Sequence, residues 1–147
     1  MIKIEFPKHA YKIKTEDEKE MIFDECRKQW VWLTPEEWVR QNFLQYLLQV
    51  KNYPSALIAV EREIALGELK KRFDIVVFKN AKPWMIVECK EMNAPLNEAV
   101  VKQILSYNIS LQVSYLVITN GTSTFALLLK DDKFEWIDEL PSFKPKP

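Results

Sequence analysis

The spacing of apolar residues changes period several times along the chain, and each change marks a boundary. After Thr34-Pro35-Glu36-Glu37, the residues Val39, Phe43, Tyr46, Leu47 and Val50 recur at helical spacing. Thr34 suits an N-cap, Pro35 the first helical position, and Glu37 completes a capping box, so a helix is predicted over residues 35–50. Tyr53-Pro54-Ser55 breaks it. Period two then sets in, predicting strands at 57–64, 74–78 and 84–89, with Leu66-Gly67-Glu68 as one turn and residues 79–83 as a hairpin connection. Ala94-Pro95-Leu96-Asn97-Glu98 opens a second helix carrying Leu96, Val100, Ile104 and Tyr107. Residues 114–119 then form an unbroken apolar run, the mark of a strand covered on both faces. Strand, helix, strand in that order implies a right-handed parallel crossover. Asn120-Gly121 turns into a strand at 124–129, Asp131-Asp132 turns again, and 134–137 reads as an edge strand.

Upstream, Tyr11-Lys12-Ile13-Lys14 alternates like a strand, Thr15-Glu16-Asp17-Glu18 is a turn, and Met21-Ile22-Phe23 returns as a second strand. The expected fold class is α/β, a central mixed sheet flanked by helices. Its organisation reads as an N-terminal extension with strands at 1–30, a main domain at 31–140 and an irregular tail at 141–147.

Composition narrows the function. The 147 residues include 21 basic and 21 acidic side chains, so no global positive field draws in nucleic acid. Any such contact must come from a local patch, for which Lys70-Lys71-Arg72, together with Lys90 and Lys102, is the candidate. No segment approaches the ~20 apolar residues of a membrane span, and the start lacks a secretory apolar stretch, so a cytoplasmic protein without a membrane role is expected. Cys26 and Cys89 are too few for a disulfide framework or a zinc site and are expected to be reduced. With His9 the lone histidine and far from every motif, no Cys/His or Ser/His/Asp nucleophilic arrangement gains support.

The chemistry concentrates in Asp74 and Glu88-Cys89-Lys90. Alternation sets Glu88 and Lys90 on one face with Trp84 and Ile86, and Met85, Val87 and Cys89 on the other. If Phe78 pairs with Trp84, Asp74 stands opposite Glu88, and a slip of one residue would separate them. Opposed side chains have Cβ atoms roughly 4.5–5.5 Å apart, where two carboxylates repel unless a cation lies between them. Mg²⁺ suits such a pair, since it takes one or two carboxylates together with waters and substrate phosphate. Lys90 then offers a charge to water and phosphate. Glu36 is phased toward the apolar stripe of its helix, whereas Glu37 is phased toward Arg40 and Gln41. Gln103 and Tyr107, four apart on the second helix, share a face from which they could bond a backbone phosphate or one of the acids. Glu61 and Glu63 read as surface or supporting acids.

Taken together, Asp74, Glu88-Cys89-Lys90, Glu36 and Gln103-Ile104-Leu105-Ser106-Tyr107 resemble the PD-(D/E)XK nuclease superfamily. More closely, Pro35-Glu36-Glu37-Trp38-Val39-Arg40-Gln41, Arg72-Phe73-Asp74-Ile75-Val76-Val77 and Tyr115-Leu116-Val117-Ile118-Thr119-Asn120-Gly121 are similar to the N-terminal nuclease domain of type I restriction enzyme R subunits. The resemblance implies a restriction-endonuclease-like core and Mg²⁺-dependent hydrolysis of DNA phosphodiesters, with Mn²⁺ as a substitute metal. In it, Asp74 and Glu88 hold the metal, Lys90 orients the attacking water, and Glu36 adds an acid. Gln103 and Tyr107 match the Gln-x-x-x-Tyr helix that supports the site and touches nucleic acid. Phe73 stands where the superfamily name has proline. No helicase motor follows within these 147 residues, so the expectation is a stand-alone form working with a separately encoded motor or specificity protein. The alternative is a nuclease-fold module that binds nucleic acid or a partner without cutting.

Overall fold

The computed structural model describes residues 1–66, 68–108 and 112–144, and of residues 66, 69, 105, 107 and 108 the backbone alone. A small antiparallel sheet comes first, β1 (Ile13–Glu16), β2 (Lys19–Asp24) and β3 (Gln29–Trp32) in that order. Asp17 and Glu18 make its first turn with φ of 51° and 62°, the left-handed pair that a two-residue hairpin requires. Helix α1 (Pro35–Gln45) follows, with the Thr34 hydroxyl accepting from the Glu37 amide at 3.0 Å as the capping pattern anticipates. It ends earlier than its apolar spacing suggests, passing into a π-helical turn at Tyr46–Val50. The wider turn shifts the phase, and Val50 is left exposed.

The main sheet has six strands in sequence order: β4 (Ile58–Leu66), β5 (Leu69–Lys79), β6 (Lys82–Cys89), β7 (Tyr115–Thr119), β8 (Thr124–Lys130) and β9 (Lys133–Ile137). All neighbours are antiparallel except β6 and β7, which run parallel and are bridged by α2 (Glu98–Asn108). The expected mixed sheet with flanking helices is therefore present. Asn97 caps α2, its Oδ1 accepting from Val100 at 3.0 Å. The β5–β6 connection is shorter than the sequence suggests, because Asn80 and Ala81 both take positive φ and close a two-residue turn.

Both faces of the sheet are covered. On one, Val39 and Phe43 of α1 and Leu47 of the π-helical turn pack against Ile75, Val77, Met85 and Val87. On the other, Val101 and Ile104 of α2 pack with Val76, Ile86, Leu116 and Ile118. The start of the chain joins the first layer, where Ile2 is buried and bridges to Thr124. Burial on both sides is what the continuous apolar run of β7 requires.

Candidate active site at the parting of two strands

Strands β5 and β6 pair only as far as Ile75↔Val87, yet β5 continues along β4 through Arg62↔Phe73 to Leu66↔Leu69. The sheet therefore opens beside Asp74 and Glu88. There the Cys89 amide donates to Asp74 Oδ2 at 3.0 Å, so a side chain takes a bond that a strand carbonyl would otherwise accept. The alternation also steps once at this point, since Phe73 joins the α2-side core and Ile75 the α1-side core. Asp74 lies at that step, and its carboxylate meets α1. Across the β4 ladder Glu61 has φ 51° and drops out of pairing between Val60↔Ile75 and Arg62↔Phe73.

Pairing ends at Ile75↔Val87, so Asp74 and Glu88 come next on their strands without pairing, and the anchor assumed for their alignment was wrong. Phe78 pairs with Pro83, not Trp84, and a register shift between Val77 and Phe78 absorbs the difference. Trp84 is the extra residue. It consequently packs with Met85 in the α1-side core, not with Ile86 on the other face.

Helix α1 supplies the surroundings of Asp74. Arg40 Nη2 donates to Asp74 Oδ1 at 2.7 Å and lies 3.2 Å from Glu61 Oε1, while its Nη1 donates to Glu37 Oε1 at 2.6 Å. Arg27 reaches the same Glu37 oxygen at 2.9 Å and, through Nε, Asp24 Oδ2 at 2.8 Å. Gln41 donates to that Asp24 oxygen at 2.7 Å. Burial opposes the charge of Arg40, but its bond to Asp74 and the carboxylates of Glu37 and Glu61 outweigh burial and raise its pKa.

Glu37 faces Arg40 and Gln41 as expected, but that flank of α1 is the covered one, and Glu36 is not inward. Glu37 is buried, whereas the Glu36 side chain is 49% exposed. The flank of α1 carrying Glu37, Arg40 and Gln41 is covered by Asp24 and Arg27, and ion pairing makes burial of that polar flank tolerable. Glu36 nonetheless reaches the site. Partial burial and then the nearby Asp74 carboxylate raise its pKa above 4.5, against the opposing effect of Arg40 and Lys90. Glu36, Asp74, Arg40 and Lys90 thus share one electrostatic neighbourhood.

Glu88 lies on the other side of the opening, its side chain 12% exposed and accepting from Lys71 Nζ at 3.3 Å. Lys71 Nζ also sits 5.1 Å over the Phe73 ring. Lys90 is exposed at the strand's end, its amide donating to Thr119 at 2.8 Å. Lys70 and Arg72 are exposed on β5 beyond Asp74. Gln103 is exposed on α2, on the sheet face opposite α1, and the side chain of Tyr107 lies outside the described residues. Cys89 is buried as expected, and both cysteines are free.

Sequence reasoning passed over Arg40 and left Glu61 unassigned. A signal existed for Arg40, which lies three and four residues beyond two acids on one helix, whereas Glu61 is brought across from Asp74 only by the β4–β5 register.

A family model described as type I restriction enzyme R protein N terminus (HSDR_N) matches residues 35–141. The chain belongs to this family. The R-protein match opens on the first residue of α1 and takes in α2 and β4 through β9, leaving the three-stranded sheet outside. Glu36, Arg40, Asp74, Glu88 and Lys90 all fall within it, and the family ties the chain to restriction and to nuclease-related activity. No curated protein and no solved structure gives a significant match. Among the described residues, no group of three or more His, Cys, Asp and Glu side chains is gathered to hold a metal, and no helix is long and apolar enough to cross a membrane.

Proposed function

We propose that the chain is a divalent-metal-dependent DNA endonuclease domain of the PD-(D/E)XK type. The observation that carries this reading is the parting of β5 from β6 at Asp74 and Glu88, with Lys90 just beyond, in a chain of restriction-enzyme family.

The donor set suits Mg²⁺. A cation caged wholly by protein would need more ligands than are gathered here, but Mg²⁺ takes one or two carboxylates, waters and the substrate's phosphate oxygens. Each Asp74 oxygen accepts one hydrogen bond and keeps a second lone pair. Asp74 and Glu88 would hold the ion, and bound there it supplies Lewis-acid charge against the reacting phosphate.

The chain's own groups do the rest. Arg40 and the Cys89 amide fix the Asp74 carboxylate in one orientation, so it need not reorganise when substrate arrives. Lys90, exposed beside Glu36, donates to the attacking water or a phosphate oxygen and offsets charge as the phosphorus–oxygen bond breaks. Glu36, with its raised pKa, is suited to accept a proton from that water. Lys70 and Arg72 offer sequence-independent contacts to the DNA backbone.

One observation favours the non-cutting alternative: Asp74 is already paired with Arg40, and Glu88 with Lys71. A plasmid-nicking assay with Mg²⁺ or Mn²⁺ separates the two. Cleavage by the wild type, lost in Asp74→Ala and Lys90→Ala that remain folded, supports the nuclease. Equal activity in all three would sink it, and retardation of DNA with no cutting under any metal would make the chain a binding module. A separately encoded motor or specificity protein is the partner expected of a restriction subunit.

A further inference from the structure

The three-stranded sheet lies outside the family match, and its outward face has a composition that the cleavage reading does not use. Pairing sets Lys14, Met21 and Trp32 in one row and Phe23 beside Trp30 in the next. These point away from the body, because Ile22 and Asp24, alternating with them on β2, are fully buried. Trp32 is 59% exposed. Lysines lie over the rings: Lys19 at 3.8 Å from Trp32, Lys14 at 4.4 Å from Trp30 and Lys12 at 5.6 Å from Phe23. Glu16, which pairs with Lys14 at 3.2 Å, is the acid on this face.

This face runs into the site. Met21, Trp30 and Trp32 share the lining of a groove of about 550 Å³ with Glu36, Arg40 and Glu61. Arg40 and Glu36 in turn adjoin Asp74.

We propose that this aromatic and basic face is a stacking platform for a single-stranded stretch of nucleic acid leading into the groove. The exposed ring of Trp32, with the half-buried rings of Trp30 and Phe23 beside it, can accept the π-faces of unpaired bases, which a duplex hides within its stack. Flexible amines over the same rings can swing to the phosphates that follow each base, which supplies the charge complementarity missing from the protein as a whole. A neutral protein that binds DNA needs such a local device. The platform concerns binding alone, and only its link to the acidic end of the groove rests on the nuclease reading.

The test is fluorescence anisotropy of a labelled oligothymidylate and of a matched duplex, with the whole chain in EDTA so that nothing is cut. The wild type should prefer the single strand, and Trp32→Ala should weaken that binding roughly tenfold while leaving the melting temperature and the duplex affinity unchanged. Lys19→Gln should reduce the slope of log affinity against log salt by about 0.7. Lys133→Gln, exposed on the edge strand β9, should bind as the wild type does. Single-strand binding with no nicking in metal would overturn the nuclease and leave the platform standing. Undiminished oligothymidylate binding by Trp32→Ala, a preference for duplex, or loss of self-association as the effect of that variant would each overturn the platform.

Discussion

The amide of Cys89 and the carboxylate of Asp74 are joined at 3.0 Å, a side-chain bond standing where two strands cease to pair. Asp74→Ala therefore removes more than a candidate ligand: it leaves a main-chain donor and a buried guanidinium each short of an acceptor. Urea unfolding should show a loss of about 2–4 kcal/mol. Asp74→Asn keeps a carbonyl to accept one of the two bonds and should lose less stability, yet be equally inactive in plasmid nicking. Equal stability loss in both variants would contradict this account of the bond.

Arg40 lies within ion-pair distance of four carboxylates, those of Glu36, Glu37, Glu61 and Asp74, and meets them through a planar fork that an ammonium cannot reproduce. Arg40→Lys should cost about 2–4 kcal/mol by chemical denaturation despite retaining charge, because buried acids lose their donors. Glu37→Gln should be costly for the same reason, since Arg27 and Arg40 share one Glu37 oxygen. Glu36→Gln, at an exposed position, should alter stability far less.

Lys90 contrasts with both. Its side chain is exposed, so Lys90→Ala should shift stability by no more than about 0.5 kcal/mol. Under the nuclease reading its nicking rate should nevertheless fall roughly 10²-fold or more. Thermal melts beside single-turnover cleavage would separate these outcomes, and parallel loss of both would assign Lys90 to the fold.

Two groups near the N-terminal sheet set an alkaline limit. Burial, then Asp24 and Glu25, push the Cys26 thiol from 9.0 up to about 11, and burial, then Glu25, push the Tyr11 phenol from 10.0 up to about 12. The unfolded chain releases these protons first, so the folded form holds more of them and stability falls as pH rises through the interval from 9.0 to about 12. Cys26→Ala should remove that thiol's share of the decline at the lower end and leave the share of Cys89, which burial also holds above 9.0. Denaturation midpoints measured across the interval would show it, and identical slopes in variant and wild type would refute it.

Much of this was legible in the chain because the patterns are local. The Thr34 cap, the period-two strands, the crossover helix and the run in β7 each follow from spacing within a few residues. Spacing also put Asp74 and Glu88 on neighbouring strands, though through a pairing of Phe78 with Trp84 that a bulge replaces with Pro83. What escaped reading depends on distant segments meeting. Helix phase alone could not show that Asp24 and Arg27 cover the polar flank of α1, so Glu36 was expected inside and the burial of Glu37 beside Arg40 and Gln41 was not anticipated. Glu61 was passed over because its positive φ and its contact with Arg40 emerge only once two strands and a helix come together.

Past Asp74, β5 is held by β4 and no longer by β6, so the end of this hairpin is a two-stranded arm rooted in a six-stranded slab. A ribbon of two strands is far more compliant than the sheet from which it projects. Its fulcrum is the residue whose carboxylate is tethered to α1 and to Cys89. Under the nuclease reading, flexing beyond the Lys71–Glu88 ion pair would swing Lys70 along a DNA backbone and scarcely displace Asp74.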